Sequence, residues 1–211
     1  MRLVDLTHDL EPGMPLFPGT PAPVFEDAAT LDADGYREKR ICLNAHTGTH
    51  IDAPAHILER GVSLDRLPVD TFWGQAVVVD CTHSRGIINL MDILPLTNAI
   101  QQSDFVIVNT GWHRFWGERR YFCDFPVLSR QAAAWLADAG LKGIGTDILS
   151  VDPLEDTELP IHRILLAAGM VIVENLANLN ALPAVPVPFS CLPLKIRDAD
   201  GSPVRAVAVV P

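Results

Sequence analysis

The chain has 211 residues, 48% of them hydrophobic and 20% charged, a balance that excludes disorder and fits one globular domain over 1–211 with a core that needs no disulfides. Twenty-six acidic residues against sixteen basic ones give a net charge of -10 without a Lys/Arg stripe, which argues against nucleic acid and anionic membrane as partners. No apolar run approaches the roughly 20 residues of a membrane span, and Asp5 sits where a signal peptide carries its apolar region, so the expected setting is the cytoplasm.

Short Val- and Ile-rich runs bounded by turn residues predict strands at Leu3–Leu6, Arg40–Asn44, Gln75–Cys81, Phe105–Asn109, Gly143–Asp147, Val171–Glu174 and Val204–Val209. One helix is predicted over Arg130–Ala139, with Ser129 as N-cap, Gly140 just past the end, and an apolar face through Ala132, Trp135, Leu136 and Ala139. A second follows Pro160, from Ile161 to Ala168, and stops at Gly169. The passage Phe105–Asn109, helix, Gly143–Asp147 reads as a crossover between parallel strands. The expected fold is therefore α/β, a single domain with a mixed, partly parallel sheet flanked by helices. Cys42, Cys81, Cys123 and Cys191 form no C-x-x-C pair and are read as small buried hydrophobes in a reducing compartment.

Chemistry concentrates between Asn44 and Ile57. His46, His50, Asp52 and His56 fall within eleven residues that hold three of the seven histidines. The His-x-x-x-His spacing suits a helix, but β-branched Thr47, Thr49 and Ile51, with Gly48 and Pro54, argue against one. In an extended segment the even positions His46, Gly48, His50, Asp52, Pro54 and His56 would share one face. Full extension would hold His46 and His50 about 13 Å apart, too far to share an ion, so the chain must bend, with Gly48 as the hinge. Imidazoles with a carboxylate suit zinc, manganese, iron or nickel better than calcium. Surplus ligands without cysteine favour an open catalytic site over a structural one. His162, at the start of the later helix, and Glu174, at the end of the next strand, can face the same cavity; alone, Glu174 could equally cap a helix beginning near Asn175, and His162 could be solvated.

The string His46-Thr-Gly-Thr-His50-Ile-Asp52-Ala-Pro-Ala-His56 resembles the H-x-G-T-H-x-D-x-P-x-H motif of the cyclase family of metal-dependent hydrolases, which includes bacterial kynurenine formamidases and isatin hydrolase. Asp5-Leu6-Thr7-His8, Phe17-Pro18-Gly19, Asn109-Thr110-Gly111-Trp112, Gly145-Thr146-Asp147 with Ser150 and Asp152-Pro153, and Glu174-Asn175-Leu176 follow the family order along the whole chain. The resemblance implies a swivelling β/β/α-like domain with one or two divalent ions, Zn2+ first and Mn2+ second. His46, His50 and Asp52 would hold one ion; Asp52, His162 and Glu174 would hold a second, with Glu174 bridging. His56 would be the proton shuttle. Phe17 stands where bacterial kynurenine formamidases carry a Trp beside the substrate's aryl ring, so it is a candidate substrate contact or a packing residue. The region around Trp112, His113, Phe115 and Trp116 is an aromatic wall or core. The implied reaction is hydrolysis of an amide-type C–N bond in a small aryl compound, as in N-formylkynurenine to kynurenine and formate, by a homodimer or larger homo-oligomer. Cyclic amide (isatin-type) hydrolysis, carbon–oxygen lyase or cyclase chemistry on the same metal site, and a non-catalytic metal-dependent small-molecule binder are the alternatives.

Overall fold

The computed structural model describes residues 1–211. In chain order its strands and α-helices are β1 (Arg2–Asp5), β2 (Val24–Ala29), α1 (Leu31–Asp34), β3 (Glu38–Cys42), β4 (His50–Asp52), β5 (Trp73–Asp80), β6 (Ile87–Ile88), α2 (Leu90–Ile93), α3 (Thr97–Ile100), β7 (Phe105–Asn109), β8 (Val127–Leu128), α4 (Arg130–Ala137), β9 (Gly143–Thr146), α5 (Pro160–Ala167), β10 (Val171–Glu174), β11 (Val187–Ser190), β12 (Gly201–Pro203) and β13 (Val207–Val210). The fold is α/β, as expected.

Nine strands form one mixed sheet in the order β1-β13-β11-β5-β7-β9-β10-β4-β12. Its centre, β5-β7-β9-β10, is parallel, including the crossover from β7 through α4 to β9. These strands are nearly continuous Val and Ile because both faces are covered. Val77, Val79, Val106, Val108, Ile144 and Ile172 point toward α4 and α5, meeting Ala132, Ala133, Leu136, Ile161, Leu165 and Leu166. The alternate residues Ala76, Val78, Phe105, Ile107, Val171 and Val173 enter a second core, to which no α-helix contributes. That face is buried because the sheet curls on itself. Past β1, Leu6 N–H donates to Ala206 O, and Ala177 N–H, just beyond β10, donates to Leu6 O, so the β1 edge is joined to the far half of the sheet across the second core.

Where the predicted elements differ, the cause is local. The last strand begins at Val207 rather than Val204, because Val204 makes only an isolated bridge to Pro193. α4 stops at Ala137, and Gly140 follows with φ +76°. Cys81 and Cys191 are buried as expected, but Cys42 and Cys123 are exposed: Cys42 lies on the β2–β3 ribbon, whose β3 strand is exposed throughout, and Cys123 ends a short surface turn. Trp112 is core, packed with Tyr121, Phe125 and Val127 beneath the site loops. No helix is long and apolar enough to cross a membrane.

Candidate metal centre and active site

β4 presents His50 and Asp52 on the helix-covered side of the sheet, while Ile51 between them enters the second core. β10 runs antiparallel to β4 and sets Glu174 opposite His50. α5 packs over this margin with His162 in its first turn. Gly48, at φ +66°, turns the chain ahead of β4, in a conformation that costs glycine little. The bend expected there brings the His46 and His50 rings to 5.1 Å. The extended face expected to reach His56 instead ends at Asp52. Pro54 opens a short 3-10 turn over Pro54–His56, since its fixed φ favours the start of a helical turn. That turn folds His56 back, 4.0 Å from the His46 ring and 5.9 Å from that of His162. No helix begins at Asn175, which leaves β10 with φ 56°.

The three imidazoles of His46, His50 and His162 share one pattern: one nitrogen is anchored to a fixed acceptor and the other aims at the Asp52–Glu174 pair. His46 Nε2–H donates to Asp200 Oδ2 at 2.9 Å, and its Nδ1 lies 2.6 Å from Asp52 Oδ1. His50 Nδ1–H donates to Gly48 O at 2.8 Å, and its Nε2 lies 3.3 Å from Asp52 and 3.5 Å from Glu174. His162 Nδ1–H donates to Asp152 Oδ2 at 2.7 Å, and its Nε2 lies 3.4 Å from Glu174 and 3.7 Å from Asp52. Metal-ligating histidines are commonly oriented in this way. Polar residues behind the site hold it in place: Tyr121 OH donates to Asn175 Oδ1, Asn175 Nδ2–H donates to Gly48 O, and Val151 N–H donates to Glu174 Oε1.

The acidic groups dominate the electrostatics of the cluster. Burial opposes a proton on His46, but hydrogen bonds to Asp52 and Asp200 overcome it and push the pKa up to about 9. Burial likewise opposes the charged form of His162, yet the bond to Asp152 and the nearby Asp52 and Glu174 carboxylates drive it up to about 12. For His50, burial is again outweighed by Asp52 and Glu174, and its pKa rises. Burial would raise the Asp52 carboxyl, but His50, His162 and His46 hold it well below the usual carboxylate range. Burial keeps His56 below its ordinary value despite Asp52 and Asp200 nearby. The carboxylates therefore favour positive charge between them, which a divalent cation would supply. Asp52 Oδ2, buried with no hydrogen-bond partner, is a coordination position in waiting. His46, Asp52 and His56, and separately His50, Asp52 and Glu174, each bring ligand atoms within 4.8 Å of one another. The donor set fits a divalent metal.

The cluster floors a cavity of about 370 Å³ walled by Leu16, Phe17, Leu149 and Leu159. Phe17 stands at its mouth, 43% exposed, so its ring is available to a ligand rather than committed to the core. Phe17, His46, His50, Asp52, His56, His162 and Glu174 all line this cavity. Three contributors were not singled out for a role. Asp152 and Asn175 occur within the family landmarks but carry no spacing signal of their own. Asp200 lies in an Asp-Ala-Asp-Gly turn with nothing in the sequence to tie it to His46.

A family model described as "Putative cyclase" matches residues 4–153. The kynurenine formamidase of Salinibacter ruber is 34% identical over 98% of this chain and 97% of its own; that of Erythrobacter litoralis is 33% identical over 98% and 93%. Among solved structures, isatin hydrolase A from Labrenzia aggregata bound to benzyl benzoate superposes with a TM-score of 0.88 at 28% identity, covering 99% of this chain and 93% of that one. Over half the chain matches the family model and two relatives above 30% identity span nearly all of it, so this protein belongs to the cyclase family.

Proposed function

We propose that the protein is a metal-dependent hydrolase that cleaves an amide-type C–N bond in a small aryl substrate, with N-formylkynurenine, giving kynurenine and formate, as the leading candidate. The observation that carries this reading is the convergence of His46, His50, Asp52, His162 and Glu174, with an unpartnered Asp52 oxygen, at the base of a cavity that has an aromatic mouth. His46, His50 and Asp52 would hold one ion, and Asp52, His162 and Glu174 would hold a second. Zn2+ suits these ligands best and Mn2+ is second. A divalent cation there supplies a lowered pKa for water, from 15.7 toward about 7, and polarisation of the substrate carbonyl.

The side chains perform the remaining work. His56, beside the cluster and at the cavity, removes a proton from the attacking water as its oxygen bonds to the carbonyl carbon. As the C–N bond breaks, His56 returns that proton to the departing nitrogen. Phe17 lies against the aryl ring. Residues 1–211 act as one domain, in the cytoplasm, as a homodimer or larger homo-oligomer. A cyclic amide is the second reading, favoured by the close superposition on isatin hydrolase A.

The test is to assay zinc- and manganese-loaded protein against formylated arylamines, isatin and other cyclic amides, alongside metal analysis of variants. His56→Ala keeps its metal and loses turnover by about 10²–10⁴-fold, whereas His50→Ala and Asp52→Ala lose metal as well. Turnover that survives complete chelation would overturn the proposal.

A further inference from the structure

The loop before β12 brings a carboxylate behind two imidazoles at once. β12 pairs antiparallel with β4, setting Gly201 opposite Asp52, and Ala53 N–H donates to Asp200 O at 2.8 Å. The backbone of Asp200 is therefore fixed against the strand that carries His50 and Asp52. Gly201 is part of the same fit: a Cβ there would lie 2.5 Å from Cε1 of His46, so the imidazole occupies the space of the missing side chain. Asp200 Oδ2 then meets His46 Nε2 at 2.9 Å and His56 Nδ1 at 3.3 Å. A carboxylate accepts and does not donate, so each facing nitrogen carries the proton. This leaves His46 Nδ1 toward Asp52 and directs the basic nitrogen of neutral His56 away from Asp200.

We propose that Asp200 is a positioning residue that sets the ring orientation of His46 and both the tautomer and ring orientation of His56, coupling a proposed metal ligand to the proposed proton carrier through one carboxylate oxygen. It serves His46 as Asp152 serves His162, but it alone is shared with the proton carrier. Its side chain is 46% exposed, so its removal disturbs ring orientation more than it disturbs the core.

The role given to His56 rests on the hydrolase reading above, so the deciding measurements use no substrate. Imidazole 15N spectra of the full zinc-loaded chain are compared for wild type, Asp200→Leu and Asp200→Ala, with zinc affinity measured against a competing chelator. Wild type shows neutral His56 as the Nδ1–H form. Both variants lose that preference and bind Zn2+ about 10–100-fold more weakly. At saturating zinc, kcat on any substrate the wild type hydrolyses falls by about 10–100-fold, with the larger effect in kcat rather than KM. Asp200→Leu keeps much of the side chain's shape without an acceptor and reports even if Asp200→Ala folds poorly. A wild-type His56 in the Nε2–H form, or variants with unchanged His56 resonances or unchanged zinc affinity, would overturn the proposal. A wild type inert toward every amide would instead sink the hydrolase reading, leaving the spectra and zinc affinity to judge Asp200.

Discussion

Asp152→Asn separates two jobs held by one buried carboxylate. Asp152 is fully buried; its Oδ1 accepts from Ile161 N–H at 2.8 Å, while Oδ2 accepts from His162 N–H at 2.9 Å and from His162 Nδ1–H at 2.7 Å. It thus caps α5 from several residues upstream and fixes the ring that faces Asp52 and Glu174. Asparagine has nearly the same shape, but one end of its amide donates. If nitrogen replaces Oδ1, the Ile161 N–H loses its acceptor; if it replaces Oδ2, both His162 bonds are lost. A buried donor left unpaired costs about 1–3 kcal/mol, and the lost negative charge at a helix start adds up to about 2 kcal/mol. The expected destabilisation of metal-free protein is about 1–5 kcal/mol, or roughly 2–20 °C in Tm for a domain of this size. Zinc affinity falls about 10–100-fold as the His162 ring loses its anchor. Thermal unfolding of chelated protein and zinc titration against a competing chelator read both effects. A variant with wild-type Tm and wild-type zinc affinity would refute the reasoning.

Other consequences are as direct. In chelated protein, the hydrogen bonds that overcome burial raise His46 from 6.5 to about 9 and His162 to about 12. A folded pKa above the unfolded one stabilises fully below pH 6.5 and less as pH rises through the folded value, so Tm without metal falls between pH 6.5 and 9 and continues to fall above that. Zinc binding, which displaces those protons, tightens over the same range; a chelated Tm that is flat over this interval would contradict the charge balance described. Gly143→Ala places a Cβ 2.6 Å from Val171 Cγ2 and 2.7 Å from its carbonyl oxygen. Overpacking there costs about 1–3 kcal/mol, read as a lower urea midpoint, and an unchanged midpoint would show that β9 and β10 can part at no cost.

Much of this arrangement was legible in the sequence where side-chain pattern and backbone demand coincide. The window from His46 to His56 announced itself by residue type, and Gly48 by the distance problem it solves. Phe105–Asn109 and Val171–Glu174 matched their predicted bounds because buried parallel strands admit little but branched apolar residues. The joining of His162 and Glu174 to the window came from family resemblance, since the 111 residues between His50 and His162 carry no distance information. β11 and β12 were not legible: Val-Pro-Phe-Ser and Gly-Ser-Pro read as turn material, and they are strands because their neighbours offer a ladder. Asp200 was hidden for the same reason, because only the β4–β12 pairing brings it to His46. His56 was misplaced by alternation, since Pro54 ends the strand before the pattern does.

The placement of β12 beside β4 has a consequence for biosynthesis. Asp52 and its intended neighbour Gly201 leave the ribosome far apart in time: at 5–20 residues per second, roughly 7–30 s pass between them. Throughout that interval the strand bearing His50 and Asp52 has an open flank, and an open strand edge is a template for pairing with other chains. A nascent polypeptide halted before residue 201 would present its histidine-rich edge without the closing ribbon.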